Sequence, residues 1–422
     1  ILIFITFNMK VTDLIADILK KNLVNHVFGL QGGAVVHIFD SLIKKKINVT
    51  FTHHEETAAL ASVANAKASK NIGCAVVTTG PGTTNAITGL LAAWQDSIPV
   101  VFISGQARSN HTSYNKKVRQ VGTQEVNICD IVRPITKYTK FLNNKNKILE
   151  EFKKAIQIAK SGRPGPVWLD LALEIQWQNV RVKKNQIKII NKLDHSNKLK
   201  NFDKVINLIN KSKRPLFVIG HGVKSSEIKI EKLKKFFKNK KIPFVLTWNT
   251  LDMFETKMRE NLGIIGMSGQ RGANKSVFNS DILVCVGNHL PIPQTTTLYD
   301  NYAEQAKKII VNIDKDQLNN LNVNFEHKLN IDAKFFFEKI FKSINKKNDW
   351  YSQYKELNWY EPKKNKYVDV NKFIRTFTNK LFDKSAIIID GGGTALYAGF
   401  QSSVIKKNTE VICSSSISSM GT

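Results

Sequence analysis

Glu55 is the residue through which this chain could most directly move a proton. It follows His53-His54 at the end of a short apolar run, Val49 to Thr52, and precedes an Ala-rich segment. A carboxyl group buried at such a junction holds its proton more tightly than one in water, which suits it to proton exchange. The plain alternative is an acidic residue stabilised by the N-terminal end of a helix dipole. A metal reading of His53-His54-Glu55-Glu56 is poorer, because Ala58 stands where H-E-x-x-H requires its second histidine.

Glycine-bearing turns form the second set of candidates. They are Gly29-Leu30-Gln31-Gly32-Gly33-Ala34, Thr79-Gly80-Pro81-Gly82-Thr83-Thr84-Asn85 and Asp390-Gly391-Gly392-Gly393-Thr394, each after an apolar, strand-like run. In open parallel sheets, ligands settle where strand ends, loops and helix N-termini converge. Taken singly, each turn is as well explained by chain reversal. Gly220-His221-Gly222 resembles half of a dinucleotide fingerprint, with Ser225 in place of its third glycine, and no P-loop lysine follows any of the turns.

These residues need a frame, and the hydrophobic pattern supplies one. Val11 to Lys20, Val35 to Lys44, Glu56 to Lys70 and Thr84 to Trp94 carry helical spacing. They alternate with short apolar runs at His26 to Gly29, Val49 to Thr52, Gly73 to Thr78, Pro99 to Ser104 and Val167 to Leu171. Short buried strands alternating with helices predict a parallel sheet covered on both faces. The pattern predicts a unit over residues 9–176, a polar linker over 177–200 and a second unit over 201–342. The strands of that second unit begin at Pro215, Pro243, Ile282 and Lys308. Another linker, 343–368, leads to a third unit over 369–422 with helix Val370 to Leu381 and strand Ala386 to Asp390.

Composition narrows the class. The 63 Lys and Arg against 34 Asp and Glu leave a net charge of +29, which admits a nucleic-acid binder. The basic residues lie in scattered runs (44–46, 232–241, 363–366) without the regular aromatic interleaving of a single-strand channel, so codon bias toward Lys, Asn and Ile accounts for them better. A positive field would favour anionic substrates. Cys74, Cys129, Cys285 and Cys413 are too far apart for a C-x-x-C metal or redox motif, which suits a reducing cytoplasm. No run approaches the ~20 apolar residues of a membrane span. The start, Ile1 to Phe7, lacks the features of a signal peptide, and Met9 reads as the natural beginning after an upstream extension.

Together the motifs resemble those of thiamine diphosphate-dependent enzymes of the acetolactate synthase type, in order and spacing, from Met9 onward. The matching stretches include Val27-Phe28-Gly29 with Gly32-Gly33-Ala34, His54-Glu55, Thr79 to Asn85, Asp96-Ser97-Ile98-Pro99 and Ser104-Gly105-Gln106. They continue through Gln124-Glu125 and Gly162-Arg163-Pro164-Gly165-Pro166-Val167. Arg119 to Glu125 and Pro134 to Tyr138 are similar to the branch found in bacterial surface-sugar pathways.

The resemblance implies three flavodoxin-like, doubly wound α/β domains: pyrimidine-binding, central and an incomplete diphosphate-binding domain. It implies decarboxylation of a 2-oxo acid, with pyruvate first in mind, and ligation of the acyl unit to a second carbonyl; a simple 2-oxo acid decarboxylase or another acyl-transferring synthase is the alternative. The non-enzyme alternative is a nucleotide-binding partner subunit, which would have no need of Glu55. Glu55 falls on the family's glutamate that hydrogen-bonds N1′ of the aminopyrimidine. Gly32, Gly33 and Ala34 would approach the reacting carbon, Thr79, Pro81, Gly82 and Asn85 would surround the pyrimidine, and Gln124 matches a pocket glutamine. Gly392, Gly393 and Thr394 fall at the diphosphate, and Met420 and Gly421 at the turn against the aminopyrimidine. Homodimers or homotetramers with sites between subunits are implied as well.

Departures from the family pattern are Gln31 for proline, Glu56 for glutamine, Thr123 for phenylalanine, Ala172 for proline and Asn288 for arginine. Gly220, Gly222 and Gly287 leave room for FAD, but Asn288 removes a positive partner. Family members hold Mg²⁺ through a G-D-G motif and a downstream asparagine. No Gly-Asp-Gly follows Gly393, so the expected magnesium ligands lie beyond residue 422. This predicts that the 422-residue polypeptide shows no Mg²⁺-dependent cofactor binding and is disordered beyond about residue 366.

Overall fold

The computed structural model describes residues 6–191, 202–296, 299, 301–359, 366–413 and 416–417. Two compact units divide at Asp194/His195.

The strands of the first unit are β1 (Thr6–Lys10), β2 (His26–Gly29), β3 (Asn48–Phe51), β4 (Gly73–Val77), β5 (Val100–Gln106), β6 (Tyr138–Leu142), β7 (Val167–Ala172) and β8 (Asn179–Lys183). Six of them form a parallel sheet in the order β3-β2-β4-β5-β7-β6. Every residue of β4, β5 and β7 is buried, which is why these strands read as unbroken apolar runs. Successive side chains enter opposite cores: Val101, Ile103 and Leu169 pack with Leu14, Ile38 and Phe152 from helices on one face. Val100, Phe102 and Trp168 pack with Ala59, Val63 and Leu90 from helices on the other. The sheet is doubly wound. From β2 the chain steps to β3 on one side and returns to β4 on the other, so the crevice of this reversal opens at the carboxyl ends of β2 and β4.

Two expectations change here. Asn179–Lys183, inside the segment read as a linker, is a strand that pairs antiparallel with β1. Thr6 to Asn8, read as an upstream extension, belong to that ribbon. Its pattern is legible only locally, because Val180 and Val182 point inward between exposed polar residues within a Lys/Asn-rich stretch. Residues 192–200 lie outside the described residues.

The second unit carries β9 (Pro215–Ile219), β10 (Phe244–Leu246), β11 (Asn261–Ile264), β12 (Ile282–Val286), β13 (Lys307–Val311) and β14 (His327–Leu329). They form a parallel sheet ordered β11-β10-β9-β12-β13-β14, with the reversal between β9 and β12. Again each face has its own core, with Phe217, Val284 and Phe337 on one side and Val218, Cys285 and Ala273 on the other. Tyr351, placed in a linker by composition, is buried in the second of these cores.

Beyond residue 366 the chain is folded through Cys413, contrary to the expected disorder. Helices Val370–Lys380 and Gly393–Ser402 accompany β15 (Ala386–Ile389) and β16 (Glu410–Cys413), which pair in parallel. Two strands cannot bury their own apolar faces. Ile389, Leu396, Phe400, Ile405 and Val411 instead join the core of the second unit, which supplies the missing partner surface.

Candidate active site

Glu55 is held by the helix it begins. His54 caps helix Glu55–Ser69, its Nδ1 accepting from the Glu56 N–H at 3.2 Å. The helix is rich in alanine, a strong helix former, and ends at Lys70 in the left-handed region. Its buried line of Ala58, Ala59, Ser62, Val63 and Ala66 is small for a steric reason. Helix Ile87–Gln95 comes so close that a Cβ on Gly89 would lie 2.4 Å from Ala59 Cβ. This tight seat fixes the first turn, and Glu55 is 7% exposed.

Asn85 Nδ2 donates to Glu55 Oε2 at 3.0 Å. Among the described residues no donor reaches Oε1. That oxygen faces bare backbone, since a Cβ added at Gly82 would stand 3.4 Å from it. One carboxylate oxygen is therefore anchored and the other is free to bond a ligand.

The turns after β2 and β4 meet beside it. A Cβ at Gly32 would lie 2.6 Å from Thr78 Cβ, whereas one at Gly33 would meet nothing within 4 Å. Ala34 is seated by its carbonyl, which accepts from Gln176 Nε2 at 2.8 Å, and by Gly105, where a Cβ would come within 2.0 Å of the same oxygen. Thr79 Oγ1 reaches Gln106 Oε1 at 2.9 Å and the Gln124 carbonyl at 3.1 Å. Gly80 adopts φ +66°, and any side chain there would strike the Gln124 carbonyl. Exposed Pro81 opens the short helix that carries Gly82 and Asn85. Glu55, Gly32, Gly33, Ala34, Thr79, Pro81, Gly82, Asn85 and Gln124 are thus contributed by adjoining turns on the sheet's reversal side.

Beneath this cluster lies a polar network that sequence reasoning missed. Gln106, fully buried on β5, donates through Nε2 to the Val126 carbonyl and to Asp170 Oδ2. Asp170 also accepts from Ser104 Oγ at 2.5 Å and Tyr114 OH at 2.9 Å, and Trp168 Nε1 donates to Ser104 Oγ. Burial pushes the Asp170 carboxyl up to about 7, against the pull of its three hydrogen-bond donors. An acid inside the apolar run Val167-Trp168-Leu169-Asp170-Leu171-Ala172 was the available signal.

Gly392, Gly393 and Thr394 belong to the second unit, at the start of helix Gly393–Ser402. A Cβ on either glycine would meet nothing within 4 Å, so the backbone there is open. Met420 and Gly421 lie outside the described residues. Gly220, Gly222 and Gly287 form the reversal point of the second sheet. Their missing side chains are taken up by one another: a Cβ at Gly220 would lie 2.3 Å from the Gly287 carbonyl, and one at Gly222 would lie 2.7 Å from Gly287 Cα. Asn288, in place of the family's arginine, turns inward and donates to Gln294 Oε1 at 2.8 Å. Among the described residues no group of His, Cys, Asp and Glu is placed to hold a metal, and no helix is long and apolar enough to cross a membrane.

A doubly wound sheet with glycine turns and a half-anchored buried carboxylate at its reversal point defines an α/β cofactor-binding domain. Residues 9–131 match the family model of the thiamine pyrophosphate enzyme N-terminal TPP binding domain, and residues 202–340 match that of the central domain. The acetolactate synthase large subunit of Buchnera aphidicola (subsp. Schizaphis graminum) is 30% identical over 91% of this chain and 70% of its own length. That of Haemophilus influenzae is 28% identical over 83% of this chain, and the Escherichia coli isozyme 2 large subunit is 30% identical over 72%. The chain belongs to the thiamine pyrophosphate enzyme family. It spans 62% of the Haemophilus relative and 54% of the Escherichia coli one.

Proposed function

We propose that the chain carries the proton-handling part of a thiamine diphosphate-dependent catalyst that decarboxylates a 2-oxo acid, with pyruvate as donor, and ligates the acyl unit to a second carbonyl. The observation that carries this reading is Glu55, with Oε2 held by Asn85 and Oε1 open at the sheet's reversal point. When bound, thiamine diphosphate supplies the electron sink for decarboxylation. Glu55 would hold or release a proton at Oε1 toward the aminopyrimidine. Gly32 and Gly33 leave backbone bare beside the reacting centre, and Gln124 borders it on the far side of Gly80.

In this reading, residues 9–176 bind the pyrimidine, 201–342 form the central domain and 369–422 begin the diphosphate-binding domain. Gly392, Gly393 and Thr394 would approach the diphosphate of a cofactor shared with a second copy, making the protein at least a homodimer. Mg²⁺ would neutralise the diphosphate, and we assign it no ligand within the described residues. No flavin is assigned, because the three glycines at the β9/β12 reversal are accounted for by their own contacts. Four buried free cysteines support a reducing cytoplasm.

The test follows exchange of the cofactor's C2 proton by NMR in the full gene product with thiamine diphosphate and Mg²⁺. Glu55→Gln should slow exchange by about 10²–10⁴ while leaving the circular dichroism spectrum unchanged. An undiminished rate removes Glu55 from the role. Pyruvate offered with a panel of ketones and nucleotide keto-sugars, read by mass spectrometry, identifies the acceptor.

A further inference from the structure

Asp170 has no assigned part in that chemistry, yet it lies under the loop that carries Gln124. This loop, residues 107–127, leaves β5 and returns to helix Ile128–Val132. Tyr114 stacks flat on Phe141 of β6, with centroids 4.3 Å apart, and its hydroxyl reaches across to Asp170 on the neighbouring strand. The loop is thereby the lid over a carboxyl group that is fully buried. Among the described residues no basic side chain pairs with it; Gln106 Nε2 donates to Oδ2, while the Ser104 hydroxyl, 2.5 Å from Oδ1, can accept the proton of the neutral acid, and Tyr114 OH bonds Oδ2.

We propose that Asp170 is a positioning residue for the candidate site: as the neutral acid it anchors loop 107–127 over the β5–β7 strand ends, and on ionisation it releases that loop. Loop opening is the movement that would return the carboxylate to water. Closure therefore favours the protonated group, and opening favours the ionised one. The consequence reaches the site through Gln106, which ties Asp170 and the Val126 carbonyl to Thr79, and through Thr79, which ties the Gln124 carbonyl to the turn at Gly80. Other titratable groups face Asp170 without replacing it. Tyr114 and Cys129 are both pushed up by burial, Cys129 to about 11, so both stay neutral across the physiological range. Asp130 is paired outward with Arg133, and Glu125, buried on the same loop, accepts from Ser113 and Val121.

The importance of the loop for catalysis rests on the proposed function; its coupling to Asp170 does not. Hydrogen exchange of residues 112–126 in the cofactor-free chain tests the coupling, with rates corrected for the intrinsic pH dependence of amide exchange. Protection should fall at least about tenfold between about pH 4 and pH 7 and level off above, the span between the ordinary carboxyl value and the raised one. Asp170→Asn, which mimics the neutral acid, should stay as protected at high pH as the wild type is at low pH. Unchanging protection in the wild type, or the same fall in Asp170→Asn, overturns the proposal. Should Asp170→Asn fail to fold, Tyr114→Phe removes the loop's direct bond to the carboxyl group. It should leave the loop open across the whole range, and a wild-type profile in that variant also overturns the proposal. Proton exchange of the cofactor at Glu55 is a separate readout, so either idea can fail alone.

Discussion

Asn85 holds Glu55 by one oxygen and leaves the other free, a division of labour set by a single 3.0 Å hydrogen bond between two turns of the first sheet. Hydrogen bonds to charged groups contribute about 1.5–3 kcal/mol, enough to fix a carboxylate's orientation at a site that opens to solvent. Asn85→Ala should therefore leave the fold intact while lowering the C2-proton exchange rate about tenfold, because Glu55 then samples unproductive rotamers. Exchange at the wild-type rate in that variant would show that helix Glu55–Ser69 alone orients the carboxylate.

Neighbouring glycines in one turn should respond in opposite ways. Gly32→Ala drives a methyl group to within 2.6 Å of Thr78, and the two turns that frame the crevice must part. A loss of about 1–3 kcal/mol in urea denaturation is expected. Gly33→Ala faces open space and should stay within about 0.5 kcal/mol of the wild type. Equal effects at the two positions would mean that the turn relaxes as a unit.

How far the sequence spoke depended on what kind of signal each residue left. The turns at Gly32 and Gly80 are legible because glycines interrupt unbroken apolar runs, which buried parallel strands produce, and Glu55 because a carboxylate stands at a strand end before an Ala-rich helix. Gln176 left no trace, although it bonds the Ala34 carbonyl across 142 positions of sequence. An isolated glutamine after a strand looks like any surface residue, and tertiary structure alone gives it an object. β6 escaped because Tyr138 and Lys140 break its apolar pattern at the sheet edge. The tail beyond residue 366 is illegible for a different reason: its own two strands are too few to be stable alone, and its apolar residues pack on the core of another sheet.

Global stability should carry the signature of Asp170. Its folded-state carboxyl is pushed up to about 7, above the ordinary value of 3.8, so the folded protein binds the proton more tightly than the unfolded chain. A raised acid stabilises the fold below its unfolded value, and that contribution is lost as pH rises from there through about 7. The slope is at most about 1.4 kcal/mol per pH unit for this one group. Urea titrations of the wild type and Asp170→Asn across that range should differ by this falling component. Parallel curves would mean that the carboxyl group is not held neutral.

The C-terminal segment should behave as part of the second unit, and two phenylalanines can show it. Phe400 is fully buried, stacked on Trp248 with ring centroids 4.8 Å apart. Close by, Asp252 accepts from the Val411 N–H at 3.1 Å while paired with Lys224 at 2.8 Å, so the β16 backbone is fastened to the same region by a charge already satisfied elsewhere. Thr256 and Ile405 add two further hydrogen bonds, one in each direction. Removing the ring in Phe400→Ala leaves a cavity within a shared core and should cost about 3–5 kcal/mol in the unfolding of the second unit. Phe382 lies 87% exposed on the same segment, and Phe382→Ser should change stability by no more than about 0.5 kcal/mol. If residues 366–413 were instead disordered, both substitutions would be silent. A Phe400→Ala variant that unfolds at the wild-type urea midpoint would therefore restore the expectation of a disordered tail, whereas a cooperative loss places the segment in the folding unit of the central sheet.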